Sequence, residues 1–281
     1  KKIAIWGLST SLVYGTIRQI REAISYIIDL NKELTQISIV TGKTQTEVAQ
    51  LGQKYLQLAK DMKVSTAEIA QATVEFYRQG LSQEEVMKRT AVATEYAKIS
   101  NMSFTESAEI MTATVNSMGV DIRRAADVFA YLGDATATGA DEIGRAFQKV
   151  GGTAGALGVE FEKVASWIAV VSSRTRESAE SIGTSFKTIL ARMQNLRETG
   201  FNEEDEIRIN DVAKALNEAG IALTDSSGQF RDFGDVLDEL GEKWKDLEDN
   251  KLKAYLATTL AGVRQQSRFL TLMEGYSESV E

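Results

Sequence analysis

The tetrapeptide "TGKT" at residues 41–44 contains residue types that bind nucleotide phosphates. In a phosphate-binding loop, G-x-x-x-x-G-K-[ST], backbone amides surround the phosphates and the lysine reaches their oxygens. That spacing requires a glycine at position 37, where the sequence has Ile37. The flanking residues have helical periodicity, whereas such a loop follows a β-strand. We therefore interpret the tetrapeptide as a turn between two helices.

A second candidate for a phosphate-binding site is "GGTAGALG" at residues 151–158, because glycine-rich runs can surround a phosphate. The run lacks the spacing of a dinucleotide fingerprint, and no strand–helix–strand pattern surrounds it. Glycines four residues apart also allow two helices to approach closely. The run is typical of a helix that is either flexible or tightly packed.

Acidic residues are clustered at 203–206 and again at 246–249. Glycoside hydrolysis needs two carboxyl groups in different environments, one of them with a raised pKa. Both clusters lie in polar segments, where carboxylates are usually hydrated. The stretch Asp225–Gly228 lacks the D-x-[DN]-x-[DN]-G spacing of a calcium loop. These patterns predict neither a catalytic nor a metal site.

The chain of 281 residues contains no His, Cys or Pro and has a formal net charge of −8. Without His and Cys, the Ser-His-Asp and Cys-His mechanisms, disulfides and the usual zinc sites are excluded. The negative charge argues against a general nucleic-acid surface, since such domains usually carry a basic excess. We expect neither an enzyme nor a cofactor, and no specific nucleic-acid partner.

Glycines recur at nearly constant intervals, at Gly42, Gly80, Gly119 and Gly158. The intervals are 38, 39 and 39 residues, and similar sequences follow the glycines, as in "GVDIRRAADVF" and "GVEFEKVASWI". A period of this length is the signature of stacked helical hairpins. Each glycine is predicted to be a junction where one hairpin ends and the next begins.

Apolar residues occupy equivalent positions in every repeat. They stand 6, 13, 28 and 35 residues after the glycine, and a separation of seven returns to the same helix face. This pattern predicts two amphipathic helices in each repeat. The predicted buried positions are Val48, Tyr55, Ala70 and Tyr77; Val86, Ala93, Ala108 and Val115; Ala125, Leu132, Phe147 and Ala154; and Val164, Val171, Phe186 and Met193.

Two capping boxes mark the start of the second helix in the first two repeats. They are "STAE", from Ser65 to Glu68, and "SFTE", from Ser103 to Glu106. In such a box the serine accepts a hydrogen bond from an early backbone amide, and the glutamate reaches back to the cap.

The sequence thus predicts an all-α fold with four parts. These are an N-terminal apolar or amphipathic helical segment (1–41), four helical-hairpin repeats of about 39 residues (42–196), an acidic linker (197–208) and a C-terminal helical subdomain (209–281). In the last part, β-prone runs on both sides of Asp225–Gly228 predict a small β-hairpin.

Further helices are predicted beyond this hairpin, and we expect them to pack back on the repeats. Their apolar residues recur at helical spacing. The predicted inner face contains Leu237, Leu240, Trp244 and Leu247, followed by Leu256, Leu260 and Val263.

The run from Ile3 to Ile17 is uncharged, but its fifteen residues fall short of the roughly 20 that span a bilayer. We interpret it as a helix that is buried or packed against a partner; a membrane-active segment and the remnant of a signal peptide are alternatives. Because the sequence does not begin with Met, we expect it to be part of a longer protein. The residues that would contact a membrane or a partner are Ile3, Ile5, Trp6, Leu8, Leu12, Val13 and Ile17.

From about Asp29 to Met273 the chain resembles the conserved region of bacteriophage tail tape measure proteins, also called phage minor tail proteins. Four stretches carry most of the resemblance, in collinear order, and the closing "AGVRQQSRFLTLMEG" is similar to the end of that region. The four are "LNKELTQISIVTGKTQTEVAQL", "KVSTAEIAQATVEFYRQGLSQEEV", "ALGVEFEKVASWIAVVSSRTRESAESIGTSFKTILARM" and "LNEAGIALTDSSGQFRDFGDVLDEL".

This resemblance implies a structural protein of the virion tail, present in the host cytoplasm during assembly. Such proteins occupy the lumen of the tail tube, set its length and leave ahead of the DNA at infection. The implied partners are tail tube proteins, tail-tip or baseplate hub proteins, tail assembly chaperones, other copies of the same chain and, during infection, the host membrane. The resemblance supplies no catalytic residues. A membrane-perturbing or channel-forming factor and a peptidoglycan hydrolase are alternative functions.

Overall fold

The computed structural model describes residue 25, residues 27–203 and residues 206–277, and the predicted all-α fold is confirmed. A helix, α1, covers residues 27–41. The helices that follow are α2 (Gln45–Met62), α3 (Thr66–Arg78), α4 (Gln83–Ile99), α5 (Phe104–Met118), α6 (Ile122–Ala135), α7 (Ala140–Leu157), α8 (Phe161–Thr175), α9 (Ala179–Thr199), α10 (Ile209–Glu218), α11 (Phe233–Trp244), α12 (Asn250–Ala261) and α13 (Gln266–Glu274).

Two helices follow each repeating glycine, so the described residues contain four helical hairpins: α2 with α3, α4 with α5, α6 with α7, and α8 with α9. The junctions Gly42, Gly80, Gly119 and Gly158 have φ values of 69°, 72°, 67° and 78°. Gly200, with φ of 76°, ends α9 in the same way. The left-handed backbone ends each hairpin because glycine has no Cβ to oppose it.

The interiors of the hairpins follow the sixteen predicted apolar positions. Fourteen of these side chains are buried, and only Leu132 and Val115 are half-buried. Burial at equivalent positions explains the spacing of seven residues, since each helix turns one face toward its neighbours.

The start of α3 has the geometry of a capping box. The amide of Glu68 donates to the Ser65 hydroxyl at 3.1 Å, and the Ser65 amide donates to the Glu68 carboxylate at 3.0 Å. At the start of α5, the amide of Glu106 donates to the Ser103 hydroxyl at 3.2 Å. A further box, which the sequence analysis missed, joins Thr44 and Glu47 at the start of α2. The lysine-containing "TGKT" is therefore part of a capped turn between α1 and α2.

Replacing Gly158 with alanine is expected to lower the free energy of unfolding by about 1–2 kcal/mol, the cost of a left-handed backbone for a residue with Cβ. An added Cβ would have no atom within 4 Å, so the cost is conformational and not steric. Urea unfolding followed by circular dichroism measures it. Gly158→Asn should cost less, because asparagine tolerates this conformation; equal losses for both variants would contradict this explanation.

The described chain forms two compact units. The N-terminal unit contains residues up to 97 together with 103–109, and the C-terminal unit contains 98–102 and the residues from 110 onward. In the N-terminal unit, the hydroxyls of Tyr55 on α2 and Tyr77 on α3 are 3.4 Å apart. Burial raises the pKa of both tyrosines. Ser107 on α5 donates to the Ala93 carbonyl of α4 at 2.6 Å.

In the C-terminal unit, α7 packs closely against α9, and glycine makes this approach feasible. A Cβ built at Gly183 of α9 would lie 2.3 Å from the carbonyl oxygen of Ala146 on α7. On another face of α7, a Cβ built at Gly155 would lie 2.0 Å from the carbonyl oxygen of Ser117 on α5, so α7 also approaches α5 closely. The glycine-rich run at 151–158 is therefore a tightly packed helix, which decides between the two alternatives that its sequence left open.

Three phenylalanines form the aromatic core of this unit. Phe147 of α7 lies between Phe129 of α6 and Phe161 at the start of α8, with ring centroids 5.4 and 5.0 Å apart. The ring of Phe161 meets both others edge to face. Edge-to-face pairs stabilise a core beyond the burial of their area.

The predicted acidic linker is not entirely irregular, because it contains a two-stranded antiparallel ladder. Strand β1 (Phe201–Asn202) pairs with β2 (Ile207–Arg208). The segment predicted as a β-hairpin forms a single bridge between Thr224 and Phe230. The Asp225 carboxylate closes a tight turn there by accepting hydrogen bonds from the backbone amides of Ser227 and Gln229. Because α11 begins only a few residues later, little chain is left for strand pairing.

Most of the predicted inner face of the last helices is buried, including the indole of Trp244, which donates to Glu274 at 3.0 Å. Two residues of the predicted inner face are not buried. Leu247 is half-buried, and Val263 is 62% exposed. The helical periodicity does not extend to Val263 because α12 ends at Ala261, and Gly262 turns the chain toward α13.

Candidate functional site

The residues selected from the sequence are mainly architectural. The junction glycines and the serine caps shape the corners of the hairpins, as described above. The predicted contact residues Ile3, Ile5, Trp6, Leu8, Leu12, Val13 and Ile17 lie outside the described residues.

The acidic clusters do not converge on a metal or catalytic site in the described part of the chain. Glu203 and Glu206 are exposed, as are Asp246 and Glu248, and no group of three metal-ligating side chains occurs among the described residues. Asp249 caps α12 by accepting from the Lys251 amide at 2.8 Å. None of the described helices combines the length and the apolar character needed to cross a bilayer.

A groove of about 530 Å³ lies in the C-terminal unit. It lies between one face of α9 and the turn that joins α12 to α13. We call it the α9 groove.

One wall of the α9 groove is a stripe of exposed side chains on α9. They recur at spacings of three and four residues, which places them on one helix face. The stripe consists of Thr184, Lys187, Thr188, Ala191 and Asn195.

The opposite wall is the turn after α12, where Gly262 has φ of 78°. Val263 and Arg264 are exposed at this turn, and Gln265 follows them. Asn202 of β1 also lines the groove, so the ladder in the predicted linker helps to shape it.

Arg192 connects the two walls. Its side chain is only 6% exposed, and its Nη1 donates to the carbonyl oxygen of Thr259 on α12 at 2.8 Å. This bond holds a guanidinium at the groove and ties α9 to α12. Burial of a charged side chain requires such partners, because desolvation alone opposes it.

An ion pair fixes the position of α13 relative to the turn between α8 and α9. Arg268 donates through Nε to the Glu177 carboxylate at 2.9 Å and also contacts it through Nη2. The hydrogen bond from Arg268, together with one from Ser181, holds the pKa of Glu177 below its ordinary value. Glu177 is therefore a stabilising charged group.

Because the pKa of Glu177 is lower in the folded than in the unfolded chain, its contribution to stability is present above the unfolded pKa and is lost as the pH falls through the folded value. We expect Glu177→Gln to lower the free energy of unfolding at pH 7 by about 1 kcal/mol, the upper end for a partly exposed ion pair. The difference from wild type should begin to shrink below about pH 4.3, the ordinary pKa of glutamate, and should disappear as the pH falls through the lowered pKa of folded Glu177. Urea unfolding at pH 7 and pH 3 tests this.

The matched control is Glu180→Gln in the same turn. Glu180 contacts Lys149 at 3.4 Å with its side chain 78% exposed, so its replacement should change stability by less than about 0.5 kcal/mol at either pH. A Glu177→Gln effect that is equally large at pH 3 would contradict the ionic explanation.

Lys163 of α8 anchors α11 through two carboxylates. Its Nζ lies 2.7 Å from Asp235 Oδ1 and 2.7 Å from Asp238 Oδ2. Partial burial opposes the charge of Lys163, but these two bonds outweigh it and raise its pKa. Tyr276 also donates to Asp238, and burial raises the pKa of this tyrosine. These contacts hold α11 and Tyr276 against α8 of the fourth hairpin.

The α9 groove is not predicted by the sequence patterns. Its α9 wall has the composition of an ordinary hydrated helix face, and its other wall comes from a turn about 70 residues later in the chain. The sequence feature that could have indicated the groove is Arg192, because this charged residue falls beside the apolar positions of α9. The charge there interrupts an otherwise apolar face.

Comparison with known proteins gives a family match over residues 52–262, to the family described as phage-related minor tail protein. The match covers most of the hairpins, the ladder and α12. No solved structure matches the chain. On the strength of a match that spans well over half of its length, the chain belongs to the phage-related minor tail protein family.

Proposed function

We propose that this chain is a module of a tail tape measure protein, which acts in tail assembly, in tail-length determination and in genome delivery through protein–protein contacts in the tail tube or at its tip. The observation that carries the proposal is the family match over an array of helical hairpins. The partners in this proposal are tail tube proteins, tail-tip or baseplate hub proteins, tail assembly chaperones and other copies of the chain.

A tape converts chain length into tube length because an α-helix rises by a fixed 1.5 Å per residue. As one continuous helix, residues 42–196 would span about 230 Å. They fold into hairpins instead, so this region measures length poorly. In this proposal it is a compact module that engages partners, and other segments of the tape do the measuring.

Deleting residues 42–196 from the phage gene tests this division of labour. We expect tails that fail to assemble or that keep their length, as seen by negative-stain electron microscopy. Tails that are shortened by about 230 Å would contradict it. Affinity purification of the tagged wild-type chain from infected cells should recover tube and tip proteins; their absence would argue against the proposed partners.

A second candidate function, membrane perturbation during genome delivery, is favoured by an apolar surface on α1. Ile27, Ile28 and Ile39 are each at least 60% exposed, and the apolar run at residues 3–17 precedes them in the sequence. Leakage of a dye from liposomes should then require residues 1–30. Equal leakage by the chain with and without these residues would remove this function.

A further inference from the structure

We propose that the α9 groove is a docking site for a short acidic segment of a partner protein. This inference rests on the proposed function, because it names the chemistry by which a tail partner would be recognised.

The charge of the groove is opposite to that of the chain as a whole. Lys187, Arg192 and Arg264 line it, and the described residues that line it include no carboxylate. The complete chain carries a net charge of −8. A basic groove on an acidic protein favours an anionic ligand at this place and repels one elsewhere.

The Arg192 guanidinium is positioned in advance. Its bond to the Thr259 carbonyl fixes one end of the fork, and little of the side chain is exposed. A pre-positioned guanidinium loses little conformational entropy when it binds a carboxylate. Lys187, five residues earlier on the exposed stripe, adds a solvent-exposed cation.

The remaining lining groups suit a peptide. The hydroxyls of Thr184 and Thr188 and the amides of Asn195 and Gln265 can bond to the peptide backbone. Ala191 and the exposed Val263 provide an apolar contact between these polar groups. A segment that combines carboxylates with a small aliphatic side chain complements this mixture.

The length of the groove also fits a short segment. From Thr184 to Asn195 the α9 wall rises about 17 Å at 1.5 Å per residue. An extended chain covers about 3.3 Å per residue, so roughly five peptide residues fill it.

A nucleic acid suits the groove less well than a peptide. A polyanion would extend beyond Asn202 to the exposed Glu203 and Glu206, whose like charge opposes it. A five-residue segment with two or three carboxylates can place them at the arginine and lysine alone.

The sequence contains no cysteine, so Ser267→Cys can be labelled with the fluorophore acrylodan as the only thiol in the chain. Ser267 is exposed two residues after the groove residue Gln265 and does not itself line the groove. The probe is a synthetic heptapeptide that carries three carboxylates and one valine. We expect its addition to shift the emission of the label, with an affinity that falls as salt increases. The same peptide with its carboxylates replaced by amides should bind at least tenfold more weakly.

Substitutions test whether the acidic peptide binds in the α9 groove. In the labelled chain, Lys187→Glu and Thr188→Glu should each weaken binding of the acidic peptide by at least tenfold; both positions are exposed, so folding should be retained. The matched control is Lys214→Glu on α10, which is exposed and lies outside the groove, and which should change affinity by less than twofold. Equal effects at positions 187 and 214 would overturn the proposal, since they would indicate nonspecific charge attraction.

Two other results would also overturn it. One is the absence of any peptide-induced change in the emission of the labelled Ser267→Cys chain that carries no other substitution. The other is tighter binding of a twelve-nucleotide single-stranded DNA than of the peptide, which would assign the groove to nucleic acid. Neither result affects recovery of tail proteins with the tagged chain, so failure of the groove and failure of the proposed function can be told apart.

Discussion

Gly183→Ala is expected to lower the free energy of unfolding of the C-terminal unit by about 2–3 kcal/mol. The new Cβ would lie 2.3 Å from the carbonyl oxygen of Ala146 and 2.9 Å from its Cα. Both are backbone atoms of α7, so a side-chain rotation cannot relieve the overlap and the two helices must separate. The better helix propensity of alanine, worth about 1 kcal/mol, offsets only part of this cost.

The matched control for this prediction is Gly152→Ala on α7. Gly152 is exposed, and a Cβ built there would meet no atom within 4 Å, so the variant should be stabilised by up to about 1 kcal/mol. Urea unfolding followed by circular dichroism measures both variants. If Gly183→Ala proved as harmless as Gly152→Ala, the close approach of α7 and α9 would be wrong.

Phe147→Ala is expected to cost about 4 kcal/mol, the range for removing a large aromatic side chain from a core. The ring is completely buried between Phe129 and Phe161, and its removal leaves a cavity at the place where α6, α7 and α8 meet. The midpoint of thermal unfolding should fall by roughly 8–16 °C at 2–4 °C per kcal/mol. A thermal melt followed by circular dichroism at 222 nm checks this.

Phe147→Leu is the control, because leucine fills most of the space but has no aromatic edge. We expect a loss of about 1–2 kcal/mol. Similar losses for the alanine and leucine variants would mean that the aromatic geometry, and not the filled volume, stabilises this part of the core. A negligible loss for alanine would show that position 147 is not a core position at all.

The stability of the C-terminal unit also bears on the proposed binding of a partner at the α9 groove. In the proposed docking role, the α9 groove binds a partner segment only if its two walls keep a fixed position relative to each other. The walls come from α9 and from the turn after α12, and Arg192 and Arg268 hold α12 and α13 in place. We therefore regard the packing of α7 and α9 as the support of the groove, because α9 supplies one of its walls.

The sequence by itself determined the hairpins. Local backbone sterics require glycine at positive φ, and helical periodicity places one apolar face toward the core; both act within a few residues and are therefore visible in the order of residues. The corners of the hairpins are therefore predictable from the sequence alone, at Gly42, Gly80, Gly119 and Gly158. The capping box at Ser65 was visible for the same reason.

Only the tertiary structure decided how these elements use their surfaces. The periodicity could not say whether the glycines at 151–158 loosen a helix or let it approach another, because the answer depends on Ser117, more than thirty residues earlier in the chain. It also assigned Val263 to a buried face, although Gly262 turns the chain and exposes it. The α9 groove depends on a bond between residues 67 apart, from Arg192 to Thr259. Contacts at that separation follow from packing in three dimensions, and no local rule of spacing encodes them.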